Sequence, residues 1–186
     1  MLFIMLLCDY YLPIHSAMKI FKETERLYLA EATKDNTAFV LELLNSEGWL
    51  NFIGDRNVRT EDAARDYLEH RIIKMYSGGV GMYNVILKST GDLLGMCGLI
   101  DRPTLEGIDI GYGFLPQFMG QGYAFEAASA VMAFAKNDLK LSEVVAITTQ
   151  DNLRSQNLLE KLGLSIAKTY NEEGTGTPMF LYKIVF

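Results

Sequence analysis

The stretch from Ile108 to Ala128, IDIGYGFLPQFMGQGYAFEAA, holds the residues best suited to chemistry. Alternation in IDIGYGF puts Ile108, Ile110, Tyr112 and Phe114 on one strand face and Asp109, Gly111 and Gly113 on the other. Two glycines on one face leave a flat floor where a chain-like object can lie close to the backbone. Pro116 blocks further pairing. Gly120 and Gly122 then permit a tight turn that presents successive N–H groups. A helix starting there adds its unpaired first-turn donors and the positive end of its dipole. The chemistry implied is anion binding, best suited to a phosphate or pyrophosphate. Taken alone, the turn reads equally well as a strand-turn-helix whose glycines serve packing. A P-loop would need Lys-Ser/Thr where Tyr123-Ala124 stand, and a dinucleotide fingerprint would need a third glycine that neither GYGFLP nor GQGYAF supplies.

The elements that must position this stretch can be read from the hydrophobic pattern. RLYLAEAT, from Arg26, alternates as a first strand. Thr33 or Asp35 can cap a helix through TAFVLELLNSE, and GWLNFIGDRNVR reads as a loop. Thr60 caps a second helix, with Glu61 and Asp62 in its first turn, that stops at the glycines of YSGGVG. MYNVILK and DLLGMCGLI form a hairpin about STGD. After the GIDIGYGFL strand a helix runs from about Gln121 to Lys136. EVVAITTQ is a strand, NLRSQNLLEKLG a helix closed by Gly163, and LSIAKTY and PMFLYKIVF are the last strands, joined by the NEEGTGT loop. The class is mixed α/β, without internal repeats or a linker.

Bulk properties narrow the function classes. The chain has 186 residues, enough for one domain with its own core, and a net charge of −6 without a basic stripe, which argues against nucleic-acid binding. The two cysteines, Cys8 and Cys97, and the two histidines, His15 and His70, fall in no metal, redox or triad spacing. His70 is expected on a helix surface. Residues 1–17 open with an apolar run, meet Asp9 at once, lack a basic leader and are shorter than the roughly 20 residues of a membrane helix. They are expected to be an extension outside a domain covering 18–186. No membrane association, a cytoplasmic location and no metal are the corresponding expectations.

Through ETERLYL, GMCGLIDR, DIGYGFLPQFMGQGYAFEAA and DNLRSQNLLEKLGL, the chain from about Lys19 to its C-terminus resembles the GNAT family of acetyl-CoA-dependent N-acetyltransferases. More narrowly, it looks like the RimJ/RimL-like branch of ribosomal-protein N-terminal acetyltransferases. The resemblance implies a strongly bent, mixed, mostly antiparallel sheet flanked by helices, with central strands splayed around acyl-CoA. The family's pyrophosphate motif, R/Q-x-x-G-x-G/A, matches literally from Gln117. Anchored on Pro116 it instead starts at Met119, with Gly122 and Ala124 at the small positions. We take the second register, in which Met119 departs from Arg/Gln. The backbone N–H groups of Gly120, Gln121, Gly122, Ala124 and Phe125, beside Tyr123, would then hold the pyrophosphate, and Tyr112 and Phe114 would pair with the pantetheine arm through their backbones.

The reaction implied is direct attack of an amine on the thioester, which needs a base, an oxyanion donor and a proton for the leaving thiolate. Asp109 occupies the branch's acidic slot and is the candidate base, directly or through water; it reads equally as a backbone-bonding residue of a bent strand. Asp101, Glu106 and Asp55 are weaker substitutes. The backbone N–H of Tyr112 or a strand neighbour is the oxyanion donor. Many relatives carry a tyrosine where Leu159 stands, so the thiol-side role passes to Ser155, in the N-x-x-S start of its helix. Asn152 caps that helix and in the family also reaches the pantetheine. Trp49, Asp55 and Arg56 lie in the region that covers the acceptor side. The acceptor is a protein N-terminus or a small-molecule amine, and the protein a monomer or homodimer. The alternatives are a catalytically idle acyl-CoA-binding module, for which Met119 and Leu159 would be signs of decay, and a ligand-free interaction domain.

Overall fold

The computed structural model describes residues 18–78 and 80–186; the extension expected over 1–17 lies outside them. One eight-stranded sheet runs β1-β2-β3-β4-β5-β6-β8-β7. Its strands are β1 (Ile20–Glu23), β2 (Leu27–Ala30), β3 (Gly81–Leu87), β4 (Leu93–Asp101), β5 (Ile108–Phe114), β6 (Glu143–Thr149), β7 (Ser165–Asn171) and β8 (Pro178–Val185). Neighbours are antiparallel, as short turns such as Ser89–Asp92 allow, except for β5 and β6. A parallel pair needs a crossover, and α4 (Tyr123–Asn137) supplies it.

The β5–β6 pair decides the architecture. β4 and β5 stay in register from Gly95–Phe114 to Asp101–Ile108. β5 and β6 meet only at Asp109–Val145. Beyond that pair the two strands share no register, so the sheet is split between Ile110–Phe114 and Ala146–Thr149. This is the expected splayed, mostly antiparallel sheet.

Each sheet face carries its own core. On one face, α4 and α5 (Leu153–Lys161) close on the strands. The small, fully buried Ala127, Ala128 and Ala135 let α4 approach Leu27, Leu29, Val85, Cys97 and Ile110. On the other face, α1 (Thr37–Leu44), α2 (Glu47–Phe52) and α3 (Glu61–Tyr67) bury Val40, Leu43, Trp49 and Ala64 against Met82 and Met96. Fully burying a side chain such as Leu29 or Leu43 contributes about 1.5–3 kcal/mol. Thr60 caps α3 through the Ala63 N–H, as its position predicts. Past Tyr67 the helix widens to a π turn over Leu68–Ile72 and tightens to 3-10 over Ile73–Gly78.

The structure departs from the sequence pattern in two places. GWLNFIGDRNVR is not all loop: Glu47–Phe52 is a helix, too short to display a period, whose buried residue is Trp49. β1 carries no alternation because its residues are exposed or half-buried and a bulge interrupts its register with β2. No helix of the described residues is long and apolar enough to cross a membrane.

Candidate active site

The glycine turn is built as its residues dictate. Leu115 and Pro116 lead into a 3-10 turn over Pro116–Phe118, whose Met119 N–H is spent on the Pro116 carbonyl at 3.2 Å. Gly120 follows at φ +75° and Gly122 at φ +84°, the left-handed region that side chains disfavour. Gly122 is the N-cap of α4 and has no side chain to cap it. The first-turn N–H groups therefore remain available to an external acceptor. Phe125 is 43% exposed beside them, and a Cβ on Gly120 would meet open space.

Met119 joins three elements at this turn. Its methyl carbon stands 3.4 Å from the Cβ position of Gly48, at the start of α2. Its sulfur lies 3.5 Å from Nη1 of Arg154, in the first turn of α5. Across the split, Asn152 caps α5 by accepting from the Ser155 N–H at 3.1 Å, as its sequence position predicts. Ser155 Oγ lies 2.9 Å from Tyr112 Oη, and that hydroxyl also stands 3.3 Å from the Ser155 carbonyl. The contact ties β5 to α5. Burial raises the Tyr112 phenol far above its ordinary value, outweighing the bond to Ser155, so it stays a proton donor. The sequence singled out both residues but not their contact, which depends on how α5 packs.

The opposite face of β5 corrects one expectation. The glycine floor is not an open bed for a ligand chain, because the protein's own side chains cover it. A Cβ on Gly113 would stand 2.8 Å from Trp49 Cζ3 and 3.3 Å from Ile53 Cδ1; one on Gly111 would stand 2.8 Å from Ile100 Cδ1. The glycines admit the indole against the backbone. Gly113→Ala is expected to cost about 1–3 kcal/mol in a denaturant titration. Because Trp49 is the chain's single tryptophan, its emission should shift to the red in the same variant.

Asp109, at the apex of the split, is 1% exposed. Its Oδ2 accepts from Nε of Arg102 at 2.5 Å, and the Ile147 backbone N–H stands near the carboxyl without Oδ1 completing a full hydrogen bond. Burial pushes its carboxyl up to about 6, against the pull of the Arg102 charge and hydrogen bond and of the Ile147 backbone N–H. A carboxylate that takes up a proton near neutrality suits a general base. Arg102 ends the quoted GMCGLIDR, yet nothing in its spacing pointed to Asp109.

The remaining candidates are separated from this arrangement. Asp55 Oδ2 pairs with Arg59 at 2.5 Å and Oδ1 accepts from the Asn57 N–H; those hydrogen bonds hold the carboxyl below its usual range. Arg56 donates to the Ile53 carbonyl at 3.3 Å. Both residues are exposed and engaged within their loop, whereas Trp49 packs on β5. Cys97 is buried and its thiol is pushed up to about 12, which leaves it a packing residue. His70 is exposed, and no group of three metal-ligating side chains occurs among the described residues.

The family model for the acetyltransferase (GNAT) domain matches residues 26–165. The chain belongs to the GNAT acetyltransferase family. It is 34% identical over 95 residues to YkkB of Bacillus subtilis, covering 49% of this chain and 54% of that protein, so it spans about half of this relative's length. It is 24% identical over 141 residues to the uncharacterized N-acetyltransferase YnaD of Bacillus subtilis, covering 76% of this chain and 80% of that one. Among solved structures, RimL, a ribosomal L7/L12 alpha-N-protein acetyltransferase in complex with coenzyme A, superposes with a TM-score of 0.74 at 16% identity, covering 90% of this chain and 98% of that one. This GNAT acetyltransferase thus shares the RimL fold, an open, mostly antiparallel sheet flanked by helices.

Proposed function

We propose that this GNAT protein transfers an acetyl group from acetyl-CoA to a primary amine, by direct attack of the amine on the thioester. The observation that carries the reading is the single-pair β5–β6 junction, whose split adjoins both the uncapped start of α4 at Gly122 and the Tyr112–Ser155 contact. The N–H groups of Gly120, Gln121, Gly122, Ala124 and Phe125 hold the pyrophosphate, with Met119 and Tyr123 flanking it. Backbone groups of Tyr112 and Phe114 line the pantetheine, which Asn152 also reaches. Trp49 walls the acceptor side.

In the reaction the amine nitrogen bonds to the acetyl carbon and the carbon–sulfur bond breaks. Asp109 takes the ammonium proton, directly or through water. As the amide forms, the nitrogen's second proton passes to the leaving thiolate, to which Ser155, backed by the Tyr112 hydroxyl, donates a hydrogen bond. The acceptor is either a peptide N-terminus of the ribosomal-protein type or a small-molecule amine. Ser155→Ala is expected to lower kcat about 10- to 100-fold in a thiol-release assay, the worth of one hydrogen bond to a charged atom.

The test is calorimetric titration of the full chain with acetyl-CoA, alongside a thiol-release screen against peptides and amines. Saturable binding with turnover on one acceptor class supports the reading and names that class. Absence of binding overturns it.

A further inference from the structure

Behind the glycine turn stands a polar cluster that the reaction does not use. Arg26, just before β2, sends Nε to Glu126 Oε2 at 2.7 Å and Nη1 to the Gln121 carbonyl at 3.1 Å. Its guanidinium lies 4.6 Å from the centre of the Tyr123 ring, and Nη2 is 3.3 Å from the Cβ position of Gly122. Glu126, in the first turn of α4, accepts in addition from the Arg26 backbone N–H at 2.8 Å and the Thr24 hydroxyl at 2.6 Å. One side chain therefore touches Gln121, Gly122, Tyr123 and Glu126 in succession.

We infer that Arg26 and Glu126 form a latch that holds the Gly120–Gly122 turn in its diphosphate-binding conformation before the ligand arrives. This rests on the functional reading given above. Left-handed backbone at two of three successive residues is one choice among many for an exposed turn. Met119 packs just before the turn and the Gln121 side chain donates to the Gln117 carbonyl at 3.1 Å, but nothing lies within 4 Å of the Cβ position of Gly120, so Arg26 is the side chain from another element that reaches Gln121 and Gly122. Glu126 neutralises Arg26, so the pair adds geometry to the turn rather than net attraction. A ligand that binds only the ordered turn has its apparent affinity reduced by the fraction of time the turn is ordered. Arg26 is thus a positioning residue: it acts through the N–H groups of its neighbours.

The test compares wild type, Arg26→Met and Arg26→Lys by acetyl-CoA titration and by backbone relaxation of the unliganded full chain. In Arg26→Met the dissociation constant should rise about tenfold, as if the turn were competent about a tenth of the time. N–H order parameters at Gly120–Tyr123 should fall from the rigid range near 0.85 toward about 0.6, with β3 and β4 unchanged. A merely structural loss would soften β3 and β4 as well, and that outcome overturns the latch. Lysine keeps the charge but has no planar fork to bridge Glu126 and Gln121, so Arg26→Lys should show the same loss. Wild-type affinity in Arg26→Lys would mean that simple charge attraction suffices, and unchanged order parameters in Arg26→Met would mean the turn holds itself; either overturns the latch. If wild type fails to bind acetyl-CoA, the functional reading falls, while the order parameters still decide whether the latch exists.

Discussion

Replacing Gly122 by valine should raise the acetyl-CoA dissociation constant about 100-fold or more without unfolding the protein. Gly122 sits at φ +84°, where a β-branched residue is a steric outlier, at a cost of about 1–3 kcal/mol. The chain relieves that strain by leaving the left-handed region, which turns the neighbouring N–H groups away from a common point. Each hydrogen bond lost to a charged phosphate is worth about 1.5–3 kcal/mol, so two of them account for the expected loss. The new side chain would also meet Arg26 Nη2 at 3.3 Å. Gly174, at φ +89° with open surroundings in the β7–β8 loop, is the control: Gly174→Val imposes similar strain and should leave the affinity unchanged. Titration calorimetry reads both. Wild-type affinity in Gly122→Val would remove the turn from the cofactor site.

The second large effect is expected at Asp109. Asp109→Asn should lower kcat about 100- to 10,000-fold, the range of a positioned general base, while acetyl-CoA still binds. In wild type, kcat/KM should rise with pH through about 6 and then level, because only the carboxylate accepts the proton. The residual activity of the asparagine variant should lack that limb. Stability carries the opposite sign. The folded-state value is raised above the ordinary one, so the native state binds more protons than the unfolded chain between about pH 4 and 6. The stability of the neutral carboxyl is fully present below that window and is lost as pH rises through it. The melting temperature of wild type should therefore fall between pH 4 and 6 relative to Asp109→Asn, whose side chain does not titrate. A pH-independent difference between the two would show that Arg102 keeps Asp109 ionised throughout.

Both variants probe residues legible in the sequence. Gly122 stands out because glycine spacing, Pro116 and the small-residue helix start are local signals. Asn152 and Thr60 cap the helices their positions predict, since a cap needs only its own neighbours. Strand alternation sorted the faces of β5 correctly: Tyr112 and Ile110 face the α4 core, and Gly113 faces Trp49. What that pattern missed is the occupant of the glycine face, because an empty side-chain position does not say what fills it. The α2 helix escaped for a related reason: its six residues are fewer than two helical turns.

The family resemblance, most of the element order and the left-handed glycine turn are legible in the chain, because periodicity, capping and glycine conformation act within a few residues. The side-chain partnerships come from packing instead. Arg102 on Asp109, Tyr112 on Ser155 and Arg26 on Glu126 join residues whose side chains meet because strands and helices pack; the last pair lies a hundred positions apart. The raised carboxyl of Asp109 is likewise a product of burial, which no single stretch of chain can bring about.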